Sequence, residues 1–221
     1  MTIDTIFLIV VFAISMIGSP GPANMALMAV GARYGYMKSI PFLLGTASGF
    51  LLVGMGVAAG IGALFEIFPA LRITFLILSA TYLIYLAYKI AFQSVKNGAR
   101  EVRSGYLSGL FIHPLNPKAW AMMITAYSQF SPESLSPLMT FLIIQSIFQV
   151  TGLTLNSVWC AGGEMLARLV ESPEKLKRIN QSMAMAMLII VGLSVWQSGM
   201  FWTNPHGEAA RPYSWGKQLY K

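Results

Sequence analysis

Two short stretches, SPGPAN at residues 19–24 and HPLNPK at residues 113–118, hold side chains that could bind a small polar solute. Lys118 is a positive charge that could pair with a carboxylate. His113 could carry a proton, because an imidazole has an unperturbed pKa of about 6.5. Asn24 and Asn116 carry amides that both donate and accept hydrogen bonds. The two stretches therefore predict one site that binds an anionic group.

Both stretches also interrupt long apolar runs. Proline lacks an N–H group and clashes with the preceding helical turn, so the carbonyls it leaves unpaired in lipid need protein, water or ligand partners. Pro22 and Pro117 are suited to restart the helices, and each restarted N-terminus carries a partial positive charge that favours anions. Kinked helices with a purely structural role are the alternative. The candidate substrate contacts in the two breaks are Pro20, Gly21, Pro22, Asn24, Asn116, Pro117 and Lys118.

Further candidates lie in two other apolar runs. In residues 135–166, Gln149 and Asn156 fall on one helical face with small and amide residues, which indicates either a hydrated path or hydrogen bonding between helices. In residues 70–92, Tyr82 is a candidate for the cavity. Two pairs of glycines spaced four residues apart predict close helix packing, and they are Gly45 with Gly49 and Gly56 with Gly60.

The composition indicates an all-α integral membrane protein. The chain has 221 residues, of which 56% are hydrophobic and only 10% charged, and its mean hydropathy is +0.63. A soluble domain has about 25% charged residues, and a helix needs about 20 apolar residues to span a bilayer. Six transmembrane helices are predicted, at 4–33 (broken), 39–65, 70–92, 105–130 (broken), 135–166 and 181–202.

The breaks in the first and fourth helices predict two inverted three-helix repeats. Three spans separate the start of the first broken helix from the start of the second, so the second half enters the membrane in the opposite direction, a pattern typical of transporters with a site at the midplane. The predicted halves are 1–92 and 105–202, which form a single transporter domain over 1–202. Residues 203–221 are predicted to be a polar tail.

The net charge of +7 predicts topology rather than nucleic-acid binding, because the basic residues cluster in short loops. Loops on one side of the six spans hold ten Lys and Arg residues, and the other side holds four. We therefore expect the basic loops in the cytoplasm and both termini outside. The ten are Arg33, Lys38, Lys89, Lys96, Arg100, Arg103, Arg168, Lys175, Lys177 and Arg178.

Catalysis is not predicted. A membrane-embedded enzyme would need a cluster of His, Cys, Asp or Glu for metal or acid–base chemistry. The predicted spans contain one histidine, His113, and the chain contains one cysteine, Cys160. We therefore expect no enzyme activity, no cofactor and no metal.

Three segments resemble the lysine exporter (LysE/RhtB) family of amino-acid exporters. SPGPANMALMAVGARYG followed by GTASG resembles its Pro-Gly-Pro motif and spaced glycines, and GLFIHPLNPKAWAMMITAYSQF resembles its Asn-Pro-Lys-Ala motif with a later Gln-Phe. SATYLIYLAYKI resembles its third span. Many members carry an Asp after Pro-Gly-Pro, where this chain has Ala23 and Asn24. Because that change falls beside the site, the resemblance does not identify the substrate.

The resemblance implies a secondary transporter that exports amino acids or close derivatives across the bacterial cytoplasmic (inner) membrane. The inverted repeats indicate alternating access about a midplane site, and the resemblance implies proton coupling, for which His113 is the candidate carrier. The expected partners are a small-molecule amino-acid substrate, protons and membrane lipid, and homo-oligomerisation is left open. An ion or small-solute carrier or channel built on the same broken helices, or an accessory membrane protein, is the alternative.

Overall fold

The computed structural model describes residues 1–92, 105–132, 134–170 and 172–197, and within these ranges the regular secondary structure is helical throughout. The described part of the predicted first half contains five helices: α1 (Ile3–Gly18), α2 (Pro22–Tyr34), α3 (Tyr36–Ala58), α4 (Ile61–Ile67) and α5 (Pro69–Phe92). The described part of the second half contains four: α6 (Tyr106–Leu110), α7 (Pro117–Phe130), α8 (Pro137–Leu169) and α9 (Pro173–Gln197). The all-α prediction is confirmed for these residues.

Four helices are long and apolar enough to cross a membrane, namely α3, α5, α8 and the 174–193 part of α9. The pair α1 and α2 passes the same test as one unit bent by 61°, which makes a fifth candidate span. Large apolar side chains such as Ile77, Leu78 and Val150 point outward, as expected for a surface that faces lipid. The number of six spans and their arrangement as inverted repeats stay predictions.

Two predicted spans have different bounds in the structure. The second was expected to run from 39 to 65, but α3 ends at Ala58 because Gly60 adopts the left-handed conformation (φ 84°) that stops a helix. Gly60 therefore does not form a packing pair with Gly56. The sixth was expected to start at 181, but α9 begins at Pro173, since its first turns are charged and a hydropathy pattern does not detect them.

Glycines let the two predicted halves approach each other closely. Where α2 crosses α8, a side chain at Gly31 would overlap the carbonyl of Cys160, and one at Gly163 would overlap the carbonyl of Met28. Where α3 crosses α6, the equivalent overlaps would come at Gly45, Gly49 and Gly109. The packing prediction for Gly45 and Gly49 is confirmed. In each predicted half, one segment of the broken helix therefore packs on a long helix of the other half: α2 packs on α8, and α6 packs on α3.

Several predictions concern residues outside the described ranges, namely the basic residues Lys96, Arg100 and Arg103, the end of the sixth predicted span and the polar tail.

Candidate functional site

The first break, residues 19–21, satisfies its freed carbonyls with side chains. The Ser19 hydroxyl donates to the Met16 carbonyl at 2.9 Å, and the Asn24 amide donates to the Ile17 carbonyl at 3.0 Å. The ammonium of Lys118 donates to the Ser19 carbonyl at 2.8 Å. Because unpaired carbonyls are costly inside a membrane, these three donors stabilise the bend.

The helix that follows the first break starts without a side-chain cap. Gly21 is its N-cap residue, and Pro22 is its first helical residue. Its first turn therefore retains backbone N–H groups and a partial positive charge that can act on an anion.

The second break, residues 111–116, is a longer irregular turn. Backbone bonds from Leu115 to Phe111 (3.2 Å) and from Asn116 to His113 (3.0 Å) hold it together, and the Trp120 indole donates to the Pro114 carbonyl at 2.9 Å. The side chain of Asn116 accepts from the Lys118 N–H at 3.1 Å, so Asn116 caps α7.

Lys118 connects the two breaks. Its ammonium lies 2.8 Å from both the carbonyl and the hydroxyl oxygen of Ser19, which is 99 residues earlier in the chain. A Cβ at position 21 would lie 3.2 Å from the ammonium nitrogen, so Gly21 leaves room for the lysine across the break. An ammonium has three N–H groups, so the two bonds to Ser19 do not use all of them.

Residues next to both breaks line one cleft, which encloses about 460 Å³ of empty space when its open mouth is included. Met16, Met122 and Leu153 contribute apolar surface, and Ala47 and Gly152 leave space between them. None of the described residues that line the cleft is acidic. Six of the sequence-predicted site residues line it: Asn24, His113, Asn116, Lys118, Gln149 and Asn156.

The other predicted residues lie elsewhere. Pro22 and Pro117 line a smaller neighbouring cavity together with Asn116, while Pro20 is exposed and Gly21 faces Lys118. Tyr82 does not line the cleft, and its hydroxyl instead donates to the Ser108 carbonyl at 3.2 Å.

His113 is buried at the cleft, with only 8% of its surface exposed. Neither ring nitrogen has a hydrogen-bond partner among the described residues, and the ring packs edge-on against Phe50 with centroids 5.2 Å apart. Buried polar atoms are normally paired in native proteins. An unpaired imidazole that lines a cleft is therefore a group available to a ligand.

The amides of α8 both line the cleft and join helices. Gln149 donates to the Ala47 carbonyl of α3 at 3.0 Å and accepts from Gln145 at 3.0 Å, so its orientation is fixed. Hydrogen bonding between helices and a place on the cleft wall are therefore compatible roles for the polar face of α8.

Ser19 was not among the predicted site residues, and its place directly before the first proline was the available signal. Within the described residues, no three His, Cys, Asp or Glu side chains form a group that could hold a metal ion.

A model of the LysE type translocator family matches residues 14–199. The chain belongs to the LysE type translocator family. The resemblance carried by the two proline motifs is thereby confirmed. The two breaks and the cleft lie within the matched residues, and the translocator is a multi-pass membrane protein of a family of transporters rather than enzymes.

Curated relatives of this translocator carry an efflux name. A "Cysteine/O-acetylserine efflux protein" of Salmonella choleraesuis (strain SC-B67) is 29% identical over 152 residues, which is 68% of this chain and 77% of the relative. The protein of the same name from Escherichia coli (strain K12) is 27% identical over 153 residues, 68% of this chain and 78% of the relative. No solved structure matches the translocator.

Proposed function

We propose that this translocator exports small neutral amino acids or close derivatives across the bacterial cytoplasmic membrane, with cysteine and O-acetylserine as the first candidates. The family and the efflux name of the relatives support export of such solutes. The cleft supports it independently, because its polar groups suit an amino acid and its apolar walls suit a short side chain.

The observation that carries the proposal is a cleft lined by residues next to both breaks, which contains Lys118 and has no carboxylate among its described lining residues. The substrate carboxylate would pair with the Lys118 ammonium and lie near the uncapped start of α2. The side-chain carbonyls of Asn24 and Asn156 could accept from the substrate ammonium. A cationic substrate side chain would find no acidic partner there.

The transport cycle would be alternating access within one domain over residues 1–202. Halves 1–92 and 105–202, in inverted orientation with the basic loops in the cytoplasm, would rock around the cleft.

Proton coupling is assigned to His113. Its unpaired, buried imidazole lies on the same cleft as Lys118, so a proton on the imidazole would alter the charge that the substrate meets. Because no described acidic residue lines the cleft, His113 is the candidate carrier there.

The ion-carrier alternative has less support. Such a site needs free carbonyls to hold a cation, but the Ile17 and Ser19 carbonyls already accept hydrogen bonds from Asn24 and Lys118. The ammonium would also repel a cation. Steady single-channel conductance in a planar bilayer would favour this alternative.

The proposal is tested by efflux from proteoliposomes preloaded with cysteine, O-acetylserine, lysine or glutamate, with and without a pH gradient. The wild type should release the two neutral substrates faster than protein-free vesicles do. Lys118→Ala should lower that rate about tenfold or more, the factor expected for one lost charge-assisted hydrogen bond. Lys38→Ala is the matched control, because Lys38 is exposed at the start of α3 and should leave efflux unchanged.

Each outcome decides a different part of the proposal. If no amino acid leaves faster than from protein-free vesicles, the exporter assignment is wrong. Lysine released faster than cysteine would contradict the neutral substrate class. A pH gradient should accelerate wild-type efflux, and a His113→Ala variant that keeps this response would exclude His113 as the proton carrier without affecting the exporter assignment.

A further inference from the structure

Ser19 and Lys118 form a polar contact between the two broken helices. The ammonium lies 2.8 Å from both the Ser19 carbonyl and its hydroxyl oxygen. The hydroxyl also donates to the Met16 carbonyl at 2.9 Å, which fixes its orientation toward the lysine as an acceptor. We call this contact the Ser19–Lys118 clasp.

The clasp meets a requirement of any carrier whose binding charge lies inside the membrane. An ionised lysine in a span is costly unless it is paired or hydrated. During export the substrate carboxylate supplies that partner, but the carrier must also return without substrate. In the return step another acceptor has to hold the ammonium.

Ser19 has the geometry of that acceptor. It offers two oxygens to one ammonium, and both lie at the end of α1 rather than on the cleft wall. Lys118 itself lines the cleft, so a short swing of its flexible stem moves the ammonium between Ser19 and a carboxylate there. Gly21 keeps this route open, because a Cβ there would lie 3.3 Å from Cδ of the lysine.

We propose that Ser19 is a positioning residue that holds Lys118 during the substrate-free return step and yields it to the substrate carboxylate, an inference that rests on the proposed export function. Substrate and Ser19 compete for the same ammonium. Loss of the hydroxyl therefore slows the return step and leaves the loaded step largely intact.

The test separates net efflux from exchange. Net efflux requires the substrate-free return, whereas exchange with substrate on both sides of the membrane does not. Proteoliposomes are loaded with radiolabelled cysteine or O-acetylserine, and release is measured into buffer without substrate and into buffer with excess unlabelled substrate. Ser19→Ala should slow net efflux about tenfold while exchange falls less than about twofold.

Two control variants define the result. Ser19→Thr keeps the hydroxyl and should restore net efflux. Ser15→Ala removes an exposed serine one turn earlier that donates to the Val11 carbonyl at 2.8 Å, and it should change neither rate. The restored rate in Ser19→Thr would exclude general damage to α1 as the cause.

Other outcomes overturn the inference. Equal loss of exchange and net efflux in Ser19→Ala would show a structural role only, and unchanged rates would show that the hydroxyl has no role in the cycle. If wild-type protein gives neither exchange nor net efflux, the export function itself fails, which is a distinct result.

Discussion

The two breaks differ in what they contribute, although both are proline-rich interruptions of apolar runs. The first is short, bends the chain by 61°, and leads into a helix without a side-chain cap. The second is a six-residue turn that carries His113 and leads into a helix capped by Asn116. The first break therefore contributes backbone groups. The second break and the start of α7 contribute side chains, including the Lys118 ammonium that donates to the Ser19 carbonyl of the first break.

The comparison shows that similar sequence motifs need not have the same role. The uncapped α2 N-terminus can act on an anion through its dipole, whereas the α7 N-terminus is partly occupied by Asn116. The packing differs as well. Helix α2, which follows the first break, packs on α8 through glycines, whereas in the second half it is α6, which precedes the break, that packs on α3 through glycines. Three predictions test this division.

The largest effect should come from the crossing that anchors α2. In Gly163→Ala the new Cβ would overlap the backbone of Met28, so helix α8 must shift, an overpacking that costs about 1–3 kcal/mol or more. Thermal unfolding of the purified protein in detergent should show a clearly lower midpoint. Gly162→Ala is the matched control, since a Cβ there meets nothing within 4 Å. Equal midpoints for the two variants would contradict a close backbone crossing.

An intermediate effect should come from Gly21→Ala, which tests whether the first break must leave space for the lysine of the second. The added Cβ would lie 3.2 Å from the Lys118 ammonium, so the flexible lysine should move while the fold is kept. We expect efflux to fall about tenfold, as for one charge-assisted hydrogen bond, with a melting temperature that falls only slightly, because alanine is a poorer N-cap than glycine. Gly18→Ala makes only an ordinary 3.7 Å contact with Leu155 and should transport normally. Normal efflux by Gly21→Ala would show that transport does not require the space that Gly21 leaves for the Lys118 side chain.

The smallest effect should come from Asn116→Ala, which removes the cap of α7. A lost N-cap costs about 1 kcal/mol, so the unfolding midpoint should fall modestly, while efflux should fall because Asn116 also lines the cleft. Ser136→Ala removes the cap of α8, where the side chain accepts from Met139, and should show the same stability loss with normal efflux. If both variants transport alike, Asn116 is only a cap.

Local residue chemistry was enough to predict the breaks and much of the cleft. Each break holds two prolines within four residues, Pro20 with Pro22 and Pro114 with Pro117, a density that favours interruption of a helix. Polar residues beside such a break need protein or solvent partners in a membrane, so Asn24, His113 and Asn116 could be found from spacing alone.

The pairing between distant residues could not be predicted. The Ser19 partner of Lys118 is 99 positions away, and no periodicity encodes that distance. Tyr82 was misplaced for a similar reason, because its position on the helix depends on how α5 rotates against its neighbours. Gly60 was read as a packing glycine, since its sequence spacing does not reveal its positive φ.

A single residue, Gly35, separates α2 from α3, and its φ of 77° sets the direction in which the chain turns. The N–H of the next residue, Tyr36, donates to Glu164 of α8 at 2.8 Å. Because the connection is one residue long, a tilt of α2 is transmitted directly to the beginning of α3. A motion that separates α2 from α8 would therefore also stretch the hydrogen bond from Tyr36 to Glu164, which links movement at the cleft to a contact at the opposite end of α2.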